Sequence, residues 1–285
     1  MLIAILTAVC VVLGIGVICA VGLVVAAKYM AVPVDEREIR VRECLPGANC
    51  GACGYAGCDG YAKALASGEE ARANLCIPGA DSVSRALADA LGVEYADVVE
   101  QVAVIHCGGD CHATGARADY HGIKTCAAAS LVYGGAGKCL QGCIGLGDCA
   151  AACPQGAICV ENGIAHIDTR KCTGCGICTR TCPHHLIKVM SDVERVLVTC
   201  SNTEKGAQTR AACSHGCIAC RKCEKNCPSG AITVVDNLAR IDYDKCIKCD
   251  LCAKNCPTGC IMISDFSGIH RYVVSEEIVP GAKQI

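Results

Sequence analysis

The chain has 285 residues, a formal net charge of −2, 52% hydrophobic but only 3% aromatic residues, and 30 cysteines. Such hydrophobicity excludes a disordered chain, and the near-neutral charge excludes a strongly basic nucleic-acid binder. Cysteine above about 8–10% marks a disulfide scaffold in short secreted chains, but these cysteines fall in C-x2-C-x2-C-x3-C-P runs, a spacing that suits a metal cluster better than bridges between distant strands.

Residues 2–27 carry no charged side chain. As a helix rising about 1.5 Å per residue they exceed the roughly 30 Å of a hydrocarbon core. A cleaved signal peptide is the alternative reading. No basic residue precedes the run, which is longer than the roughly 15 residues usual for such a signal. Lys28, Arg37, Arg40 and Arg42 follow the run, so the positive-inside rule predicts a single-pass protein of the cell (inner) membrane with its soluble part on the cytoplasmic, reducing side. Residues 1–30 are then an anchor and 31–43 a charged linker.

Cys50, Cys53, Cys58 and Cys76 are spaced C-x2-C-x4-C-x17-C in a segment, 44–106, that reads as a small domain. Four thiolates suit tetrahedral zinc or an iron–sulfur cluster. The three-plus-one spacing favours the cluster, because zinc ribbons use two separated C-x2-C knuckles. A short helix is predicted over Asp59–Ala66. Another follows the Asp81-Ser82 cap, with Val83, Leu87 and Leu91 on one face. Val98, Val99, Val102 and Val104 are read as a further helix covering the first site.

An internal repeat organises the remainder. Cys126, Cys139, Cys143, Cys149, Cys153, Cys172, Cys175, Cys178 and Cys182 each recur 74 positions later, as Cys200, Cys213, Cys217, Cys223, Cys227, Cys246, Cys249, Cys252 and Cys256. Two copies of one unit are predicted, 107–190 and 191–264, with 265–285 as a tail. Each reads as a two-cluster bacterial ferredoxin, in which the fourth cysteine of a run ligates the other cluster. In the second copy Cys217, Cys220, Cys223 and Cys256 form one set, and Cys246, Cys249, Cys252 and Cys227 the other. Residues between the runs alternate like a short hairpin. In the first copy Cys172, Cys175, Cys178 and Cys153 are complete, but Leu146 stands where the other copy has Cys220. Cys143, Cys149 and Cys182 therefore lack a fourth partner. Either that site holds a three-iron cluster or another thiol completes it, and Cys139 is the preferred candidate. Cys107, Cys111, Cys126, Cys200 and Cys213 remain unassigned. A sixth cluster drawing on Cys107, Cys126, Cys200 and Cys213, or buried structural thiols, both account for them. The expected fold class is α+β: one transmembrane helix, a small 4Fe-4S domain and two tandem ferredoxin-like units with five [4Fe-4S] clusters or six.

Several clusters in one chain argue for electron transfer over sensing or bracing, for which one suffices. The sequence holds no G-x-G-x-x-G dinucleotide fingerprint and no P-loop. Hydride chemistry thus belongs to partners.

An apolar N-terminal helix, then NCGACGYAGCDGYAKAL with Cys76 following, then ferredoxin units, resembles the B subunit of the Rnf complex over essentially the whole chain. The two tandem units resemble its extended form. This resemblance implies a subunit of a membrane-bound ferredoxin:NAD+ oxidoreductase coupled to Na+ or H+ translocation. It would take electrons from soluble ferredoxin and pass them to flavin- and cluster-bearing membrane subunits, with Cys50, Cys53, Cys58 and Cys76 at the family's first cluster. The alternatives are an anchored polyferredoxin serving a hydrogenase or formate dehydrogenase module, and a complex that keeps a redox regulator reduced.

Overall fold

The computed structural model describes residues 2–29, 35–191 and 196–264. The predicted tail 265–285, residues 1 and 30 of the predicted anchor, 31–34 of the linker and 192–195 lie outside the described residues. Helix α1 (Leu2–Tyr29) comes first. Its side chains are described over 12–26 and are exposed throughout. Among the described residues no helix is long and apolar enough to cross a membrane.

The charged segment read as a linker is instead helical in its second half. Asp35 caps α2 (Glu36–Cys44) by accepting from the Arg37 N–H at 2.8 Å. Charges cover its outer faces, but Val41 is fully buried and joins a core with Tyr61, Leu65 and Leu87. Here one apolar residue with tertiary partners outweighs a polar composition. Helix α3 (Cys58–Ser67) supplies Tyr61, whose hydroxyl donates to the Arg72 carbonyl at 2.7 Å. Helix α4 (Ala80–Leu91) starts just before the predicted cap. Asp81 is already inside its first turn and accepts from the Val98 N–H.

The valine-rich stretch expected to be helical is strand β1 (Gln101–Ile105). Its β-branched residues are buried against a distant partner, a context that a local pattern does not report. Helices α5 (Cys126–Ser130) and α6 (Asp148–Ala151), strands β2 (Ile158–Glu161) and β3 (Ile164–Ile167), helix α7 (Ile177–Thr181) and strand β4 (Ile187–Ser191) complete the first unit. Strand β1 pairs antiparallel with β4, so this unit reaches back to Gln101. Strand β5 (Val196–Val198), helices α8 (Gly206–Ala212) and α9 (Lys222–Lys225), strands β6 (Ile232–Val235) and β7 (Leu238–Ile241), helix α10 (Leu251–Lys254) and strand β8 (Ile261–Ile263) form the second.

Both units carry the predicted hairpin, Ile158 opposite Ile167 in one and Ile232 opposite Ile241 in the other. The turns have two left-handed residues each, Asn162-Gly163 (φ 51°, 76°) and Asp236-Asn237 (φ 51°, 61°). That is the two-residue loop whose twist matches paired strands. Each hairpin lies over its own apolar core, in which cysteines are interleaved with isoleucines. A separate cluster joins the units, with Leu197 of β5 packed with Val102 and Val104 of β1.

Candidate iron–sulfur sites

The four C-x2-C-x2-C segments, three with all their cysteines, share one backbone device. Left-handed residues flank the middle position, Gly145 and Gly147 (φ 76°, 87°), Gly174 and Gly176 (65°, 69°), Ala219 and Arg221 (55°, 57°), and Lys248 and Asp250 (58°, 61°). Such a loop curls its thiols to one side, and four of these residues are not glycine, Arg221 and Lys248 with long side chains among them, a conformation uncommon for such residues. The Leu146 loop keeps this shape although its thiol is missing. A short helix then carries the third cysteine, as α10 carries Cys252.

In the first domain Cys50, Cys53 and Cys58 lie near Cys76, and burial pushes the Cys76 thiol up to about 11. Asn49 holds this loop by accepting from the Cys58 N–H at 2.9 Å. Arg180 of α7 donates to the Cys50 carbonyl at 2.7 Å, tying the domain to the first unit. There Cys172, Cys175 and Cys153 surround Cys178, whose thiol burial raises to about 12. Backbone donors reach two of these sulfurs, Ala103 N–H to Cys172 at 3.3 Å and Ala157 N–H to Cys153 at 3.4 Å.

In the second unit Cys227, Cys246, Cys249 and Cys252 line one cavity of about 330 Å³. Cys217, Cys220, Cys223 and Cys256 line another of about 290 Å³. These are the crossed sets, with each run lending its fourth cysteine to the other.

One assignment changes. Cys143, Cys149 and Cys182 line a cavity of about 390 Å³ with Cys126, not with Cys139. Cys126 opens α5, and the Asp148 carboxylate accepts from the Cys126 and Ala127 N–H groups at 2.8 and 2.9 Å. Thr125 also caps the helix, accepting from Ala128 N–H. Cys139 sits before a tight turn (Gly142 N–H to Cys139 carbonyl, 3.2 Å) and faces the second unit instead, accepting from Asn202 Nδ2 at 3.6 Å. It lines a further cavity, of about 450 Å³, with Cys107, Cys200 and Cys213. Sequence reasoning reaches Cys126 only as an extra ligand, since nothing local marks a thiol 17 residues upstream of Cys143. The Thr125 cap signals a helix start there, but not where the helix points. Cys111 is exposed and lines none of the cavities described here.

Replacing Asp148 with alanine removes both bonds at the start of α5, a loss of about 0.5–2 kcal/mol by analogy with helix caps. The expected result is a more labile fourth ligand at this site, read as lower iron content after anaerobic gel filtration.

Among the described residues no three His, Cys, Asp or Glu stand close enough to hold a single metal ion. The donors are all thiols, and burial holds several of them protonated until metal displaces the proton, as at Cys149 and Cys252, each pushed up to about 12. Cavity, donor set and N–H···S bonds all fit iron–sulfur clusters.

The fold and its sites define an iron–sulfur protein of the two-cluster ferredoxin class with an added N-terminal cluster domain. Three family models match parts of the chain: a putative Fe-S cluster domain at residues 45–78, a 4Fe-4S binding domain at 164–187 and a 4Fe-4S dicluster domain at 216–260. The chain is 40% identical over 231 residues to the B subunit of the Na(+)-translocating ferredoxin:NAD(+) oxidoreductase complex of Acetobacterium woodii, covering 81% of this chain and 69% of that one. It is 38% identical to the B subunit of the ion-translocating oxidoreductase complex of Methanosarcina acetivorans (81% and 88% covered), and 39% identical to the B subunit of the proton-translocating ferredoxin:NAD(+) oxidoreductase complex of Clostridium ljungdahlii (80% and 81%). The chain belongs to this family, the B subunits of Rnf-type complexes. It is an iron–sulfur electron-transfer subunit of a multi-subunit oxidoreductase.

Proposed function

We propose that this chain takes electrons from reduced soluble ferredoxin and relays them inside an Rnf-type complex whose ferredoxin:NAD+ oxidoreduction drives Na+ or H+ translocation. The observation that carries the reading is the set of five four-thiol sites, at Cys50, Cys53, Cys58 and Cys76; Cys153, Cys172, Cys175 and Cys178; Cys126, Cys143, Cys149 and Cys182; Cys217, Cys220, Cys223 and Cys256; and Cys227, Cys246, Cys249 and Cys252. When bound, [4Fe-4S] clusters supply one-electron redox chemistry at low potential. The chain's own work is to hold them close together and to donate N–H groups to their sulfurs. Cys220 and Cys249 are exposed, which supports arrival or departure of electrons at the second unit. Lys222, Lys225, Lys248 and Lys254 are exposed beside them, and this positive rim suits an acidic carrier.

Helix α1 is read as the anchor that keeps the relay at the cell membrane, with the soluble part in the cytoplasm. Its 28 residues carry one charge, Lys28, at the C-terminal end, and Val12, Leu13, Ile18 and Leu23 are more than 60% exposed. The exposed apolar surface over residues 12–26 needs lipid or a partner. Alkaline carbonate washing is expected to leave the full chain in the membrane fraction and to release a form starting at residue 35. Recovery of the full chain in the wash contradicts the anchor. For the relay, anaerobic mixing with reduced ferredoxin is expected to bleach the cluster absorbance near-stoichiometrically. No bleaching with ferredoxin, but bleaching by a hydrogenase or formate dehydrogenase, favours the anchored polyferredoxin instead.

A further inference from the structure

We propose that Cys107, Cys139, Cys200 and Cys213 hold an additional iron–sulfur cluster at the seam between the two ferredoxin-like units, making one continuous row of sites from two separate pairs. The inference rests on the reading that the motif cysteines are cluster ligands. None of these four belongs to a C-x2-C-x2-C-x3-C-P run. The first unit contributes Cys107 and Cys139, the second Cys200 and Cys213, so the set exists only where the units meet.

Four observations carry it. The cavity, about 450 Å³, is of the same order as the 290–390 Å³ of three motif-defined sites. Its thiols receive N–H donors as the motif thiols do: Cys143 N–H to Cys107 at 3.4 Å, Cys217 N–H to Cys200 at 3.3 Å, and Asn202 Nδ2 to Cys139 at 3.6 Å. Asn202 is 2% exposed and also donates its backbone N–H to Cys200 at 3.5 Å, so one buried residue serves ligands from both units. Finally, a Cβ at Gly109 would stand 3.0 Å from the Cys213 sulfur, so the chain there leaves space for the thiols to face inward. Idle structural thiols pack as small hydrophobes. Here they face an open space edged by Gln141, Asn202 and His215.

The two backbone donors also give the site its place. Cys143 is a ligand of the preceding site and Cys217 of the following one, so one hydrogen bond separates the seam from each neighbour.

The test is anaerobic iron and sulfide analysis with EPR on the full chain and on three variants, Cys107→Ser, Cys200→Ser and Cys111→Ser. Each seam variant is expected to lose about four iron and one EPR component, with the remaining components unchanged, and Cys111→Ser is expected to lose none. Unchanged iron in both seam variants overturns the inference. A parent chain without iron overturns the electron-transfer reading instead. Because Cys107 and Cys200 come from different units, loss in both also separates a shared site from local misfolding.

A second inference rests on a different residue. After Cys153, Cys182 and Cys227 the fourth position on is Ala157, Leu186 and Ala231, all buried and apolar; after Cys256 it is Cys260, 1% exposed. Its sulfur lies 3.6 Å from the Cys256 sulfur. A thiolate that ligates iron has no proton to give, so at this contact Cys260 is the donor. We infer that its S–H raises the reduction potential of this one site, because a hydrogen bond to a ligand sulfur favours the more negative, reduced state. In an EPR-monitored redox titration Cys260→Ala is expected to retain all its iron and to shift one component negative by about tenfold in its equilibrium, about 59 mV for one electron. Cys260→Ser keeps a donor and is expected to restore most of the shift. No shift, or a loss of iron in the alanine variant, overturns it.

Discussion

Replacing Cys126 with alanine leaves the first unit's incomplete run with three thiols, Cys143, Cys149 and Cys182, and the site then loses at least about one iron per chain. The companion change, Leu146→Cys, is expected to restore it in the same chain. The loop at Leu146 has the backbone of the loop at Cys220, left-handed on both sides of the middle residue. A thiol placed there therefore starts from the geometry that already presents a ligand in the other copy. Cys139→Ala is expected to leave this site's spectrum intact. Iron analysis and EPR of the three variants decide between Cys126 and Cys139. A chain in which Cys139→Ala abolishes this component and Cys126→Ala does not reverses the assignment.

The second large effect concerns the joint between the units. Leu197 is 1% exposed and packs with Val102 and Val104, yet these residues belong to strands of different copies. Leu197→Ala removes buried methyl groups and leaves a cavity, a loss of about 2–5 kcal/mol. His106 meets the Val198 carbonyl across the same joint, 2.9 Å away, and Ser201 donates to the His106 carbonyl. The expected outcome is an earlier denaturant midpoint and a seam accessible to protease, followed by cluster bleaching. A midpoint equal to the parent's would show that the two units are held by something other than this core.

Much of this was legible in the sequence because cluster ligation is local. Crossed pairs such as Cys153 with Cys172, Cys175 and Cys178 follow from spacing alone, and the repeat at 74 residues carries over to the hairpins and to α6 and α7, which return as α9 and α10, but not to α5 or α8. What spacing does not encode is the meeting of segments far apart in the chain. Cys126 reaches its site through a carboxylate cap from Asp148, and Cys107 meets Cys213 only because two units pack. The same limit explains β1. Val102 and Val104 are valines in a run that fits helix or strand, and the pairing with β4, which decided the matter, is about 85 residues away. The α2 segment failed in the opposite direction, where a run of Glu and Arg side chains hid the single buried Val41.

The count of iron bears most directly on the whole account. The full chain, purified without oxygen and analysed for iron, acid-labile sulfide and zinc, is expected to hold about twenty-four iron and a matching amount of sulfide, four for each of six sites. About twenty would leave the relay intact and remove the seam site. Fewer than about sixteen iron, or stoichiometric zinc with almost no sulfide, would contradict the claim that this chain is built round a row of iron–sulfur clusters.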